Sequence, residues 1–176
     1  IANAADPYKD AWWVDADRKE FIKLGFTLQE VDLKVVSHDV LVESIRGADV
    51  VHVCGGSVFY LISVLRASGA DTVITDAVRS GEIIYTGTSA GAIAVSRSMA
   101  PFSYDEEEKI YMEKVSDKRG LGLVDFIIIP HSNNEELKDE YKKMIEHVSE
   151  YTDPLIFLRD NQVVIVDDGK LEIISL

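Results

Sequence analysis

Apolar residues recur at Trp12, Val14, Phe21, Ile22 and Leu24 among charged neighbours. Tyr8 to Leu24 therefore reads as an amphipathic helix stopped by Gly25, with a turn at Asn3, Asp6 and Pro7 before it. Phe26 to Leu33 reads as a strand. Asp39 to Arg46 reads as a short helix closed by Gly47, and Val50 to Cys54 is a β-rich run ending at Gly55-Gly56. Helical spacing resumes at Val58, Leu61, Ile62 and Leu65, so Ser57 to Ser68 and Asp71 to Ser80 are two helices broken at Gly69. A short apolar strand, Ile83 to Tyr85, then leads into small residues that suit a helix. Arg97 to Asp105 reads as a loop, Lys109 to Val115 as a strand, Asp117 to Gly122 as a turn, and Val124 to Ile129 as a strongly β-forming run ended by Pro130. Asn134 to Glu150 is a helix with Leu137, Tyr141, Met144, Ile145 and Val148 on one face. Leu155 to Leu158, Val163 to Val166 and Leu171 to Ile174 are strands, the last two joined as a hairpin at Asp168-Gly169.

Strands alternating with helices over Phe26 to Ser96 imply right-handed crossovers and a mostly parallel central sheet with helices on both faces. The expected architecture is an α/β three-layer sandwich carrying a C-terminal β-hairpin. Ligands of such sheets lie beyond the carboxyl ends of the strands, where Gly55-Gly56 and Ser89 both fall. Trp12-Trp13 suits core or interface packing, with a place in a ligand pocket as the alternative.

With 176 residues, 47% of them hydrophobic, the chain fits one domain, residues 1–176. It starts at Ile1 in what reads as the tail of a strand or loop, so an N-terminal strand is expected to be missing. The formal charge is -13, from 31 acidic and 18 basic residues, and no Lys/Arg cluster with interleaved aromatics stands out. That disfavours nucleic acid. Cys54 is the single cysteine, which excludes an intramolecular disulfide and suits a reducing compartment. No apolar run approaches the ~18 residues of a membrane span, and no signal-peptide pattern is visible. The expectation is a cytoplasmic protein without cofactor or metal. A second copy of the chain is the one macromolecular partner expected, with no membrane.

Gly87-Thr88-Ser89-Ala90-Gly91 has the strand–turn–helix order of a nucleophile elbow, with Ser89 as the candidate nucleophile. A serine hydroxyl is a weak nucleophile that needs an exposed turn and a neighbouring base. The first N–H groups of the following helix lack intrahelical partners, so the Ala90 amide is free to bind an oxyanion. The motif also occurs by chance, and such a turn can simply pack tightly or bind phosphate. Gly55-Gly56 can aim two N–H groups at one acceptor, or be only a tight turn. His131, just past a strand, is the candidate base; His52 and His147 read as structural, and His38 as a helix-start residue. Asp160 is the candidate acid, at a turn between strands, and Asp105 is its rival.

Cys54-Gly55-Gly56-Ser57-Val58-Phe59-Tyr60-Leu61, the elbow, and Ile129-Pro130-His131 together resemble the dipeptidase E and cyanophycinase family of serine peptidases, from about residue 20 onward. The resemblance implies a class I glutamine amidotransferase-like fold and a Ser-His-acid triad of Ser89, His131 and Asp160. It implies an oxyanion hole from the N–H groups of Gly56 and Ala90, with Gly55, Ser57 and Asn133 facing substrate. The implied activity is that of a serine exopeptidase cleaving dipeptides or short peptides through an acyl-enzyme. Ser57 stands where members commonly carry Asn, and Asp160 where many carry Glu. Glu135 to Lys143 holds Lys138, Lys142 and Lys143 but no arginine, the residue that aspartyl-specific members place beyond the histidine. A non-catalytic binding or regulatory domain on the same fold is the alternative. A cysteine amidotransferase is a third, but Cys54 lies on a different turn from the elbow.

Overall fold

A computed structural model describes all of residues 1–176. Two strand–turn–helix units lie side by side at its centre. Strand β1 (Val50–Val53) runs into Gly55-Gly56 and helix α3 (Val58–Ser68); strand β2 (Ile84–Gly87) runs into the elbow and the short helix α5 (Ala90–Ile93). The strands pair in parallel, Val50 opposite Ile84 and Val53 opposite Gly87, so both glycine-bearing turns emerge at the same end. Parallel pairing needs a long crossover, and α3 with α4 (Ala70–Arg79) supplies it. Gly69 joins these helices with φ of 79°, a conformation natural to glycine.

Helix α1 (Trp12–Lys23) lies over β1, and α2 (His38–Arg46) packs on α4. A second parallel pair, β3 (Ile127–Ile129) with β4 (Leu155–Phe157), matches Ile127 to Leu155 and Ile129 to Phe157. The helical turn α6 (Lys109–Met112) precedes β3, and α7 (Lys138–Glu146) connects β3 to β4. The chain ends in the antiparallel hairpin of β5 (Gln162–Asp167) and β6 (Lys170–Ser175). Asp168 and Gly169 take φ of 46° and 74°, the two positive values that a type I′ turn requires.

One core of 27 buried residues unites the elements: Val53, Phe59, Leu61, Leu65 and Ile74 from the first crossover meet Ile127 and Ile129 of β3. A smaller cluster of Val95, Phe126, Ile128 and Leu158 covers the other side of β3. All three residues of β3 are buried, the apolar run a strand needs when both faces are covered. The fold is thus mixed α/β with short parallel sheets and a C-terminal hairpin. The expected single central sheet is realised as separate pairs, because no ladder joins β2 to β3.

Two expected strands are absent. Phe26 to Leu33 has no strand alongside to take its hydrogen bonds, and its end is held instead by a side chain distant in sequence: Asn3 Oδ1 accepts from the Leu33 N–H at 3.0 Å. Lys109 to Val115 forms α6 instead of a strand, because Glu108 just before it is drawn into the core. The long helix at Asn134 to Glu150 is α7 flanked by tight helical turns at Glu135–Leu137 and Val148–Glu150. No single helix is long and apolar enough to cross a membrane; the bent pair α3 and α4 has the composition, but its apolar residues form the core.

Candidate active site

Backbone approach shapes the elbow. A methyl group at Gly91 would sit 2.0 Å from the Val53 carbonyl oxygen, and one at Gly87 would sit 2.5 Å from the Gly91 carbonyl carbon. Only residues without a side chain let α5 pack this closely on β1 and β2. Thr88 donates its N–H to Val53 O at 3.1 Å, extending the ladder to the residue before the turn. Ser89 then takes φ 47° and ψ -111°, a strained conformation that is rare for a residue with a side chain.

His131 follows β3 and Pro130 with φ of 60°. Its Nε2 lies 3.1 Å from Ser89 Oγ, and its Nδ1 lies 2.6 Å from Asp160 Oδ1. Three side chains from three separate turns are thereby linked. The turns are also tied to each other: Ser132 N–H donates to Leu158 O at 2.9 Å, and Asp160 N–H donates to Asn133 Oδ1 at 2.9 Å. Tyr141 on α7 donates its hydroxyl to Pro130 O at 2.7 Å. The His131 and Asp160 side chains are 42% and 54% exposed, so their pairing adds little to stability.

The amides of Gly56 and Ala90 have no protein acceptor, as donors reserved for a ligand require. Gly56 has φ of 144°, and a methyl group there would sit 2.0 Å from Ala4 O. Ser57 N–H donates to that same carbonyl at 2.9 Å, so the N-terminal turn Asn3–Ala5 clamps the loop. Gly55 lies against Ser89, whose Cβ is 3.0 Å from where a Gly55 methyl would be. The Gly55 carbonyl accepts from Trp13 Nε1 at 2.9 Å, which aims the Gly-Gly peptides. Trp13 thus touches the site, whereas Trp12 is 68% exposed.

Two residues expected to face substrate have protein partners in the structure. Ser57 is buried and caps α3, accepting from the Tyr60 N–H at 3.2 Å and donating to Glu108 Oε2 at 2.8 Å. Its side chain is turned into the helix end. Asn133 uses its amide oxygen on the backbone of Asp160 and so positions the acid. Asp105, the rival acid, accepts instead from the Glu107 N–H at 2.8 Å. His147 pairs with Glu150 and stacks on Tyr104, and His38 lies beside Gly69.

Glu108 escaped the sequence reading, since Asp105 to Glu108 looks like a solvated acidic run. It is buried, with Oε1 accepting from Val58 N–H at 2.8 Å and Oε2 from Phe59 N–H at 3.1 Å. These are first-turn donors of α3 that have no intrahelical partner, and an anion suits that end of the dipole. Burial pushes the Glu108 carboxyl above its ordinary range, against the opposing effect of its three donors. A cavity of about 890 Å³ lies under α1 and is not lined by Ser89, His131 or Asp160. The linked side chains and free amides, not cavity size, single out this place as the candidate site.

An uncharacterized peptidase of Listeria innocua is 32% identical over 175 residues, spanning 93% of this chain and 81% of that protein. An uncharacterized peptidase of Pasteurella multocida is 28% identical, over 96% of this chain and 80% of that one. The crystal structure of a protein provisionally assigned as a peptidase E, from Listeria monocytogenes, superposes with a TM-score of 0.89 at 27% identity, covering 100% of this chain and 84% of that chain. A peptidase from an acI-B1 actinobacterium shares the fold at a TM-score of 0.68 and 20% identity, covering 99% of this chain and 72% of that one. The family model for peptidase family S51 matches residues 1–174, and the chain therefore belongs to that family of peptidases.

Proposed function

We propose that this chain is a serine exopeptidase, similar to dipeptidase E, that hydrolyses dipeptides or short peptides through an acyl-enzyme on Ser89. The observation that carries the reading is the hydrogen-bonded line from Ser89 Oγ through His131 to Asp160, at 3.1 and 2.6 Å. His131 Nε2 takes the hydroxyl proton as Ser89 Oγ attacks the scissile carbonyl. Asp160 accepts from Nδ1–H, holding the tautomer that leaves Nε2 basic and stabilising the imidazolium that forms. The tetrahedral oxyanion is received by the N–H groups of Gly56 and Ala90, each worth about 3–4 kcal/mol of barrier. His131 then returns its proton to the departing amine, and water, deprotonated by the same imidazole, releases the acyl group.

The same reading extends to the architecture, which we class as glutamine amidotransferase-like, supported by the elbow at the strand end and the chain order Ser, His, acid. It extends also to a reducing, cytoplasmic setting, supported by a single buried, free cysteine. A fluorophosphonate probe tests the chemistry: it is expected to label wild-type protein at Ser89 and to leave Ser89→Ala unlabelled. A folded wild type that neither labels nor cleaves a dipeptide library would overturn the reading and favour a non-catalytic domain.

A further inference from the structure

His52 and Cys54 are two residues apart along an extended segment, so their side chains leave the same face of it. That face is covered by α1, whose Trp13, Asp17 and Phe21 recur every four residues and form one stripe. Trp13 bonds Gly55 O, Asp17 Oδ2 lies 3.0 Å from His52 Nε2, and the Phe21 ring lies 4.7 Å from the imidazole. One donor atom from each of Asp17, His52 and Cys54 falls within 4.8 Å of the others. All three residues line the 890 Å³ cavity. The peptidase chemistry uses none of them.

We propose that Asp17, His52 and Cys54 form a binding site for a thiophilic divalent cation of the zinc type, with its fourth coordination position open to the cavity. The donor set selects the class. Thiolate with imidazole suits zinc and its neighbours, whereas magnesium and calcium take oxygen cages. Zinc ligand bonds of roughly 2.0–2.3 Å place tetrahedral donors about 3.3–3.8 Å apart. The donor atoms, already within 4.8 Å of one another, need to close by only about an ångström to reach that spacing.

Charge favours the ion. A carboxylate and a thiolate neutralise a dication, so the complex carries no net charge into this half-buried setting. Only the thiol loses a proton on binding. Within the imidazole, the proton shared by Nε2 with Asp17 passes to Nδ1, leaving Nε2 to ligate. Thr86 Oγ1, 2.9 Å from Nδ1, turns from donor to acceptor and holds the ring, the usual role of a partner behind a ligating histidine. Thr88 Oγ1 also donates to Asp17 Oδ2, at 3.0 Å, one residue before Ser89. A cation on that carboxylate competes for the bond that steadies the elbow, so occupancy slows acylation of Ser89. That last consequence rests on the peptidase reading, and the binding itself does not.

Chelator-treated full-length protein titrated with cobalt(II) tests the site. We expect a sulfur-to-cobalt charge-transfer band and tetrahedral visible bands that saturate at one ion per chain and vanish when zinc is added. Cys54→Ser should abolish the charge-transfer band, and Asp17→Asn or His52→Gln should weaken zinc binding at least tenfold. Ser89→Ala should bind as wild type does, which separates this site from the fate of the nucleophile. No sulfur-to-cobalt band in folded wild type, or zinc affinity unchanged in Cys54→Ser, overturns the proposal. The wild-type spectrum decides the matter even if a variant fails to fold.

Discussion

At Ser89 the backbone holds a positive φ of 47°, a strain of about 1–3 kcal/mol that the surrounding packing must sustain. Gly91 shows how tightly that packing is set. Gly91→Ala would drive a methyl into Val53 O at 2.0 Å, and the contact is with backbone, which cannot swing aside. We expect about 3 kcal/mol of destabilisation in urea unfolding, at the upper end for overpacking, together with loss of fluorophosphonate labelling. Asp160→Asn should behave differently. The carboxylate is half exposed, so unfolding should hardly change. Turnover should fall roughly 10³- to 10⁴-fold, because an amide that donates to Nδ1 favours the wrong tautomer of His131. Steady-state kinetics beside a denaturation curve would separate the two effects.

Among the elements, α3 is the one whose entry matters most, since its first turn adjoins the Gly55-Gly56 loop. Ser57 and Glu108 together satisfy the N–H groups of Val58, Phe59 and Tyr60. Glu108→Ala leaves two of those donors and the Ser57 hydroxyl without their partner in a buried place, which should cost about 1–3 kcal/mol. The pH dependence follows from the direction of the Glu108 shift. Burial raises its folded pKa above the ordinary 4.5, so between the two values the native state binds more protons than the unfolded state. Its stabilising contribution is then fully present below the ordinary value and is lost as pH rises through the folded one. Urea titrations from pH 4 to 8 should therefore show wild type losing stability relative to Glu108→Gln as pH increases, with a plateau above the folded pKa. A difference that stayed constant would mean that Glu108 titrates normally.

Across the whole molecule the candidate site joins regions of unequal burial. Ser89 and the Gly-Gly loop stand on the main core, while His131 and Asp160 stand on exposed turns joined by a few hydrogen bonds, beside a hairpin whose β6 is exposed throughout. Segments held this way open at lower free energy than a core. Fluorophosphonate labelling should therefore be lost at lower urea than far-UV circular dichroism; coincident loss would mean that the turns unfold only with the core. Much of this arrangement was legible in the chain itself. β-forming runs ended by glycine or proline marked β1, β2 and β3, because a chain that turns sharply at a strand end needs residues that break the strand there. The elbow and the histidine after Pro130 were readable as candidates for a related reason, since each sits where a strand stops, whereas the strand pattern left Asp160 and Asp105 as rivals and the family resemblance singled out Asp160. Asn3, Trp13, Asp17 and Glu108 were not readable in their roles. Each satisfies a partner between 29 and 51 residues away, and local periodicity carries no information about that separation. Likewise Phe26 to Leu33 and Lys109 to Val115 had strand-like composition but no neighbour to pair with. Local sequence determined where chain direction changes and which residues could do chemistry; tertiary packing decided which backbone groups found partners and which side chains met, since hydrogen-bond satisfaction is settled only when distant segments come together.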